Sequence, residues 1–155
     1  RYYLALIDCP LKEDTVVDKP IGRNPNNRLK MDVVPHGKEA RTAFVKLSES
    51  AHGVELVAAK LFTGRTHQIR VHLNTLGRHI LGDDLYGFKS KRDKIARVNL
   101  HAYLLYLVHP HTGEKMEFTA PLFDDMKTYM TKYFDQGEID EKINPHTLGG
   151  RFSFA

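Results

Sequence analysis

One change of period constrains this chain more than anything else in it. Residues 54–62 are strand formers. Thr63-Gly64-Arg65 breaks that run, and from Thr66 the apolar residues Ile69, Leu73 and Leu76 recur at i, i+4 and i+7. That spacing is one face of a helix. Gly77 stands where a C-terminal capping glycine belongs. Other segments supply a sheet for such a helix: 2–9, 15–17, 31–34, 40–47, 100–109 and 115–120 all read as strands. Residues 48–53 join two of them as a hairpin loop. Met126, Tyr129, Met130 and Tyr133 predict a closing helix over 124–134, with acids at its start. Many strands and few helices predict a mixed, mainly antiparallel α+β domain.

The length of 155 residues suits a single core. The expected division is a folded portion, 1–135, and a tail, 136–155, which is polar and without a sustained pattern. Hydrophobic residues make up 41% and charged residues 27%, a balance that argues against a disordered or disulfide-built chain. No apolar run approaches the roughly 18 residues of a membrane-spanning helix. The one cysteine, Cys9, permits no internal disulfide, which fits a reducing, cytoplasmic compartment. The chain starts at Arg1, without Met, and enters a strand at once, so a fragment lacking its upstream part is expected.

Charge is unevenly spread. Residues 60–97 hold nine Lys/Arg against three Asp, whereas residues 112–141 hold eight acids against three bases. The stretch 19–30 reads as a Pro-, Gly- and Asn-rich loop with four positive charges and no acid. Such basic surface attracts a polyanion. The period change carries the densest polar chemistry: Thr63-Gly64-Arg65-Thr66-His67-Gln68-Ile69-Arg70-Val71-His72-Leu73. Amides at a helix start favour anions, and Arg65 and Arg70 add charged donors there.

Other constellations are weaker. His67 and His72 point about 140° apart on a helix, unlike a zinc-binding i, i+4 pair. No metal site is expected. Cys9 beside Pro10 reads as a small buried hydrophobe, and Gly82-Asp83-Asp84 reads as a turn pinned by one Asp.

The stretch 63–73 resembles the signature of the RluA-type RNA pseudouridine synthases. Several other segments resemble that family in order: Arg1-Tyr2-Tyr3-Leu4-Ala5, Lys19-Pro20-Ile21-Gly22-Arg23 with Met31, and Gly37-Lys38-Glu39-Ala40-Arg41-Thr42. They are followed by Gly77 to Asp83, Tyr86-Gly87, Leu100-His101-Ala102, His109-Pro110 with Thr112-Gly113-Glu114, and Phe118 with Ala120-Pro121. Arg78 precedes His79 where the family has His-Pro, a minor departure in a connecting turn. The major departure is that the family's His-Arg-Leu-Asp motif, which carries the catalytic aspartate, is absent.

The resemblance implies the C-terminal part of a catalytic domain that isomerises uridine to pseudouridine in RNA without a cofactor. Ribosomal RNA is the expected substrate, with transfer RNA as the other possibility. No membrane and no obligate protein partner are implied. The matching site residues are Tyr3, to stack on the flipped uracil; Arg70, to hold the aspartate; and Leu100, to line the pocket. Arg23, Arg28, Lys30, Arg65 and His67 are the expected RNA contacts. Without its aspartate the chain is expected to be inactive alone, with Arg70 lacking any buried acidic partner. The competing reading is a non-catalytic RNA-binding module using the same basic surface.

Overall fold

A computed structural model describes residues 1–90 and 95–155. Residues 91–94, part of the expected basic run 88–97, lie outside the described residues. The chain forms strands β1 (Tyr2–Ile7), β2 (Thr15–Asp18), β3 (Ile21–Arg23), β4 (Met31–Val33), β5 (Arg41–Glu49) and β6 (Glu55–Leu61). Helix α1 (Gln68–Thr75) follows, then a 3₁₀ turn (Asp84–Tyr86), β7 (Leu100–Val108) and β8 (Lys115–Thr119). Helices α2 (Asp124–Tyr133), α3 (Gln136–Lys142) and α4 (Pro145–Leu148) and a final 3₁₀ turn (Gly149–Phe152) complete it. Six strands form one antiparallel sheet in the order β2-β5-β6-β1-β7-β8, and β3 and β4 form a separate hairpin.

The central strands are apolar on both faces because helices cover both. Along β1, Tyr2, Leu4 and Leu6 face one cluster, while Tyr3, Ala5 and Ile7 face the other. Along β6, Leu56 and Ala58 alternate in the same way with Val57 and Ala59. Strand alternation thus builds two cores back to back. Ile69 and Leu73 of α1 close the second core, together with Ile80. The expected helical face is therefore the buried one. Helix α1 ends as anticipated: Gly77 has φ 72°, its N–H donates to the Asn74 carbonyl, and the Arg78 N–H reaches back to Leu73. This is the paired 5→2 and 6→1 bonding of a glycine-terminated helix.

Three expectations require correction. Residues 19–30 do not form a loop throughout, because Ile21–Arg23 pairs with Met31–Val33 as a hairpin. Its apolar side rests on Val71 of α1 and on Tyr86. Cys9 is exposed, not a buried hydrophobe. The stretch 136–155 does not behave as a tail. Asp135 and Asn144 cap α3 and α4 by accepting from the Glu138 and His146 N–H groups. Ile139, Leu148 and Phe152 are buried in the first core beside Met126 and Met130. Anchors this sparse leave no periodic signal, since each of these short helices buries one residue.

Phe152 is 2% exposed and its ring packs on Tyr2 at 5.3 Å. Phe152→Ala is expected to lower unfolding free energy by about 3–5 kcal/mol in urea denaturation, the usual cost of emptying a buried aromatic site. A dangling tail would give no change.

Candidate active site

Gln68, 3% exposed, organises the strand-to-helix junction. Its Oε1 accepts from the Thr63 hydroxyl at 2.8 Å and the Arg65 N–H at 3.0 Å. Its Nε2 donates to the Arg41 carbonyl and to Thr42 Oγ1, both at 2.9 Å. The Thr42 hydroxyl in turn meets His72 Nδ1 at 2.8 Å, and His72 Nε2 meets the Lys19 carbonyl at 3.0 Å. A carbonyl only accepts, so Nε2 carries the proton and Nδ1 accepts from Thr42. The chain of bonds joins β5, the junction, α1 and the lead into the β3–β4 hairpin. His72 is 0% exposed, and burial lowers its pKa.

His67, just before α1, has φ 56°, the only positive value at a non-glycine position among the described residues. Such backbone costs roughly 1–3 kcal/mol and is held by its surroundings. Here the holder is Tyr86. Its phenol oxygen lies 2.8 Å from His67 Nδ1 and accepts from the Met31 N–H at 2.9 Å. Donation of the phenol proton to Nδ1 satisfies all three groups. Burial, then the nearby Arg70 charge, lowers the His67 pKa. Burial likewise raises that of Tyr86.

Arg70 departs from expectation. It does have a buried acidic partner within the chain, Asp83, which is 1% exposed. Arg70 Nε donates to Asp83 Oδ2 at 2.9 Å and Nη2 to Oδ1 at 2.7 Å. The guanidinium also lies 4.9 Å from the centre of the Tyr86 ring, and its side chain retains 18% exposure. Asp83 reaches this position because Gly82 precedes it with φ 84°, where a Cβ would overlap the Arg97 carbonyl. Asp83 is thus the anchor of an ion pair and not a pin for its own turn.

Tyr3 and Leu100 lie on the sheet face that α1 covers, in the cluster containing Ile69 and Leu73. Leu100 pairs with Ala5 and Tyr3 with Ala102, and the β1–β7 register shifts between Tyr2 and Tyr3. Tyr3, Arg1, Ala102, Leu105 and Phe118 line a groove of about 260 Å³. The β3–β4 hairpin brings basic groups to the other side of α1. Lys30 Nζ sits 5.5 Å from the Tyr86 ring centre, and the Arg23 charge is felt at His67. Arg23 donates to the Arg28 carbonyl at 2.6 Å, and Arg65 Nε to the Glu39 carbonyl at 2.8 Å. Lys30, His67 and Arg70 therefore gather around Tyr86, with Arg23 on the adjoining hairpin. The organisers Thr42, Gln68, His72, Asp83 and Tyr86 went unassigned in the sequence reading. Polar types inside the 63–73 run marked Gln68 and His72, and the ordered motifs included Thr42, Asp83 and Tyr86, but no local pattern gave any of them its bonding partner.

The RNA pseudouridylate synthase family model matches residues 1–75. An uncharacterized RNA pseudouridine synthase of Helicobacter pylori is 46% identical over 155 residues, covering 96% of this chain and 47% of that protein. Ribosomal large subunit pseudouridine synthase D of Nitrosomonas europaea is 45% identical, over 81% of this chain and 38% of that protein. The solved structure of human RNA pseudouridylate synthase domain containing 1 superposes with a TM-score of 0.67 at 28% identity, over 84% of this chain and 64% of that one. The chain belongs to the RluA-type RNA pseudouridine synthase family. It spans about half the length of the curated relatives it matches.

The lowered pKa of His72 and His67 has a pH consequence. Their folded pKa values lie below the ordinary imidazole value of about 6.5. The unfolded chain therefore binds more protons below that pH, and stability falls as pH drops through and under it. Stability measured between pH 7.5 and 5 is expected to decline, with a shallower decline in His72→Gln. By NMR, the His72 ring should titrate at a lower pH than an unperturbed imidazole.

Proposed function

We propose that the protein containing this chain isomerises uridine to pseudouridine in RNA, and that ribosomal RNA is its substrate. The gathering of Arg70, His67 and the basic hairpin around Tyr86, on a helix whose inner face meets Tyr3 and Leu100, carries this reading. The relatives named for the ribosomal large subunit support the choice of RNA.

The reaction breaks the bond from ribose C1′ to uracil N1, turns the base and rejoins C1′ to C5. The target base must first leave its stack. In this reading Arg23, Arg28, Lys30 and Arg65 hold backbone phosphates, with His67 against the flipped nucleotide. The Tyr3 ring stacks on the uracil and Leu100 closes the apolar side of its pocket. Arg70 has three N–H groups left after pairing with Asp83. They suit a second carboxylate, and an ionised carboxylate in a dry site needs such a partner. The catalytic aspartate then comes from outside these 155 residues, because His-Arg-Leu-Asp does not occur in them.

The full-length protein is expected to form pseudouridine in ribosomal RNA taken from cells lacking its gene, as read by site mapping. The 155-residue chain alone should bind that RNA and form none. Turnover by the chain alone would mean that it holds its own nucleophile; binding without turnover by the full-length protein would favour a non-catalytic binding module.

Replacing Arg23, Arg28 and Lys30 together by Ala should flatten the plot of log affinity against log salt by roughly two units, if each meets one phosphate. An unchanged slope would remove the hairpin from the RNA interface.

A further inference from the structure

We infer that Asp83 is a positioning residue for catalysis: it locks the Arg70 guanidinium by one edge, so that the opposite edge is presented to the acid that reacts with the nucleotide. This rests on the reading of the site given above.

A guanidinium offers two forks, one from Nε and Nη2 and one from Nη1 and Nη2. Asp83 occupies the first, with distances of 2.9 and 2.7 Å. The second makes no hydrogen bond to any described residue. The two partners differ in burial: the Asp83 side chain is 1% exposed and the Arg70 side chain 18%. The acid is the fixed member of the pair. Its backbone is fastened at both ends, with the Asp83 N–H donating to the Ile80 carbonyl and the Asp83 carbonyl accepting from Tyr86 and Phe88. The Tyr86 ring lies beside the guanidinium, and Tyr86 is itself tied to Met31 and His67. Carboxylate in one direction and ring in another leave Arg70 little rotational freedom. A flexible arginine would have to be ordered during each turnover, whereas this one is ordered in advance.

The alternative is that Asp83 serves stability alone. A structural role predicts that loosening the pair lowers stability without touching the chemical step in the molecules that remain folded. A positioning role predicts a slower step at saturating RNA with little change in the RNA concentration giving half the maximal rate.

The test uses the full-length protein and ribosomal RNA from cells lacking its gene, under single-turnover conditions. Asp83→Asn keeps size and one acceptor but loses the charged pairing. Its maximal rate is expected to fall between roughly 10- and 100-fold, as misplaced catalytic groups do, with half-saturation within about threefold. The Arg70 Nε–H resonance should move or broaden in the variant while the surrounding amide spectrum persists. A folded Asp83→Asn protein with the wild-type maximal rate overturns the inference. Should that variant not fold, Asp83→Glu keeps the charge and shifts it by one methylene; a lowered maximal rate at unchanged half-saturation supports positioning, and a wild-type rate overturns it. Wild-type protein that forms no pseudouridine refutes the functional reading first, and the inference falls with it.

Discussion

The junction between β6 and α1 depends on one buried amide. Gln68 uses both faces of its side chain, accepting from Thr63 and Arg65 and donating to Arg41 and Thr42. A buried amide with unmet bonds is costly, so this arrangement tolerates few alternatives. Through Thr42 it also sets the His72 ring, which ties Lys19 and hence the basic hairpin to the same helix. The register of α1 on the sheet places Ile69 and Leu73 inward and leaves Arg70 beside Asp83.

The charges around α1 are arranged by depth. Asp83 is buried and paired in two places, which is what makes a carboxylate tolerable there. Arg70 is partly solvated, and Arg23, Arg28 and Lys30 sit on or beside a surface hairpin. An exposed cation contributes little to folding and is free to meet an anion. Burial lowers the pKa of His72 and partial burial that of His67, which favours the neutral rings and so limits the desolvated charge they add. The division gives this side of the molecule a rigid interior that holds a cationic exterior.

Much of the scaffold was legible in the residues. Strands β5 and β6 and helices α1 and α2 lie where period and caps predict them, because each buries a repeating face. Gly77 announced the end of α1 for the same local reason. The C-terminal helices were illegible since Ile139, Leu148 and Phe152 are separate anchors rather than a periodic stripe. The three-residue strand β3 was lost among turn formers for lack of length. Cys9 is exposed because Ile7 ends its strand and the chain turns outward at Asp8, which pairs with His79. Among the groups around Tyr86, the 63–73 run singled out His67 and Arg70 by charge and position.

By itself the sequence determined the strand-to-helix switch, the apolar faces, the concentration of positive charge and the ordered motifs that the family shares. These are local or periodic properties, and neighbouring residues suffice to express them. Only the tertiary structure decided which polar groups share a hydrogen bond. Asp83 comes within 2.7 Å of Arg70 because Ile80 and Leu81 bury on opposite sides of the sheet and carry the following turn back under α1. Tyr86 meets His67 and Met31 because the hairpin folds over that turn. Pairings of this kind depend on the summed packing of distant apolar faces, so no short stretch of sequence contains them.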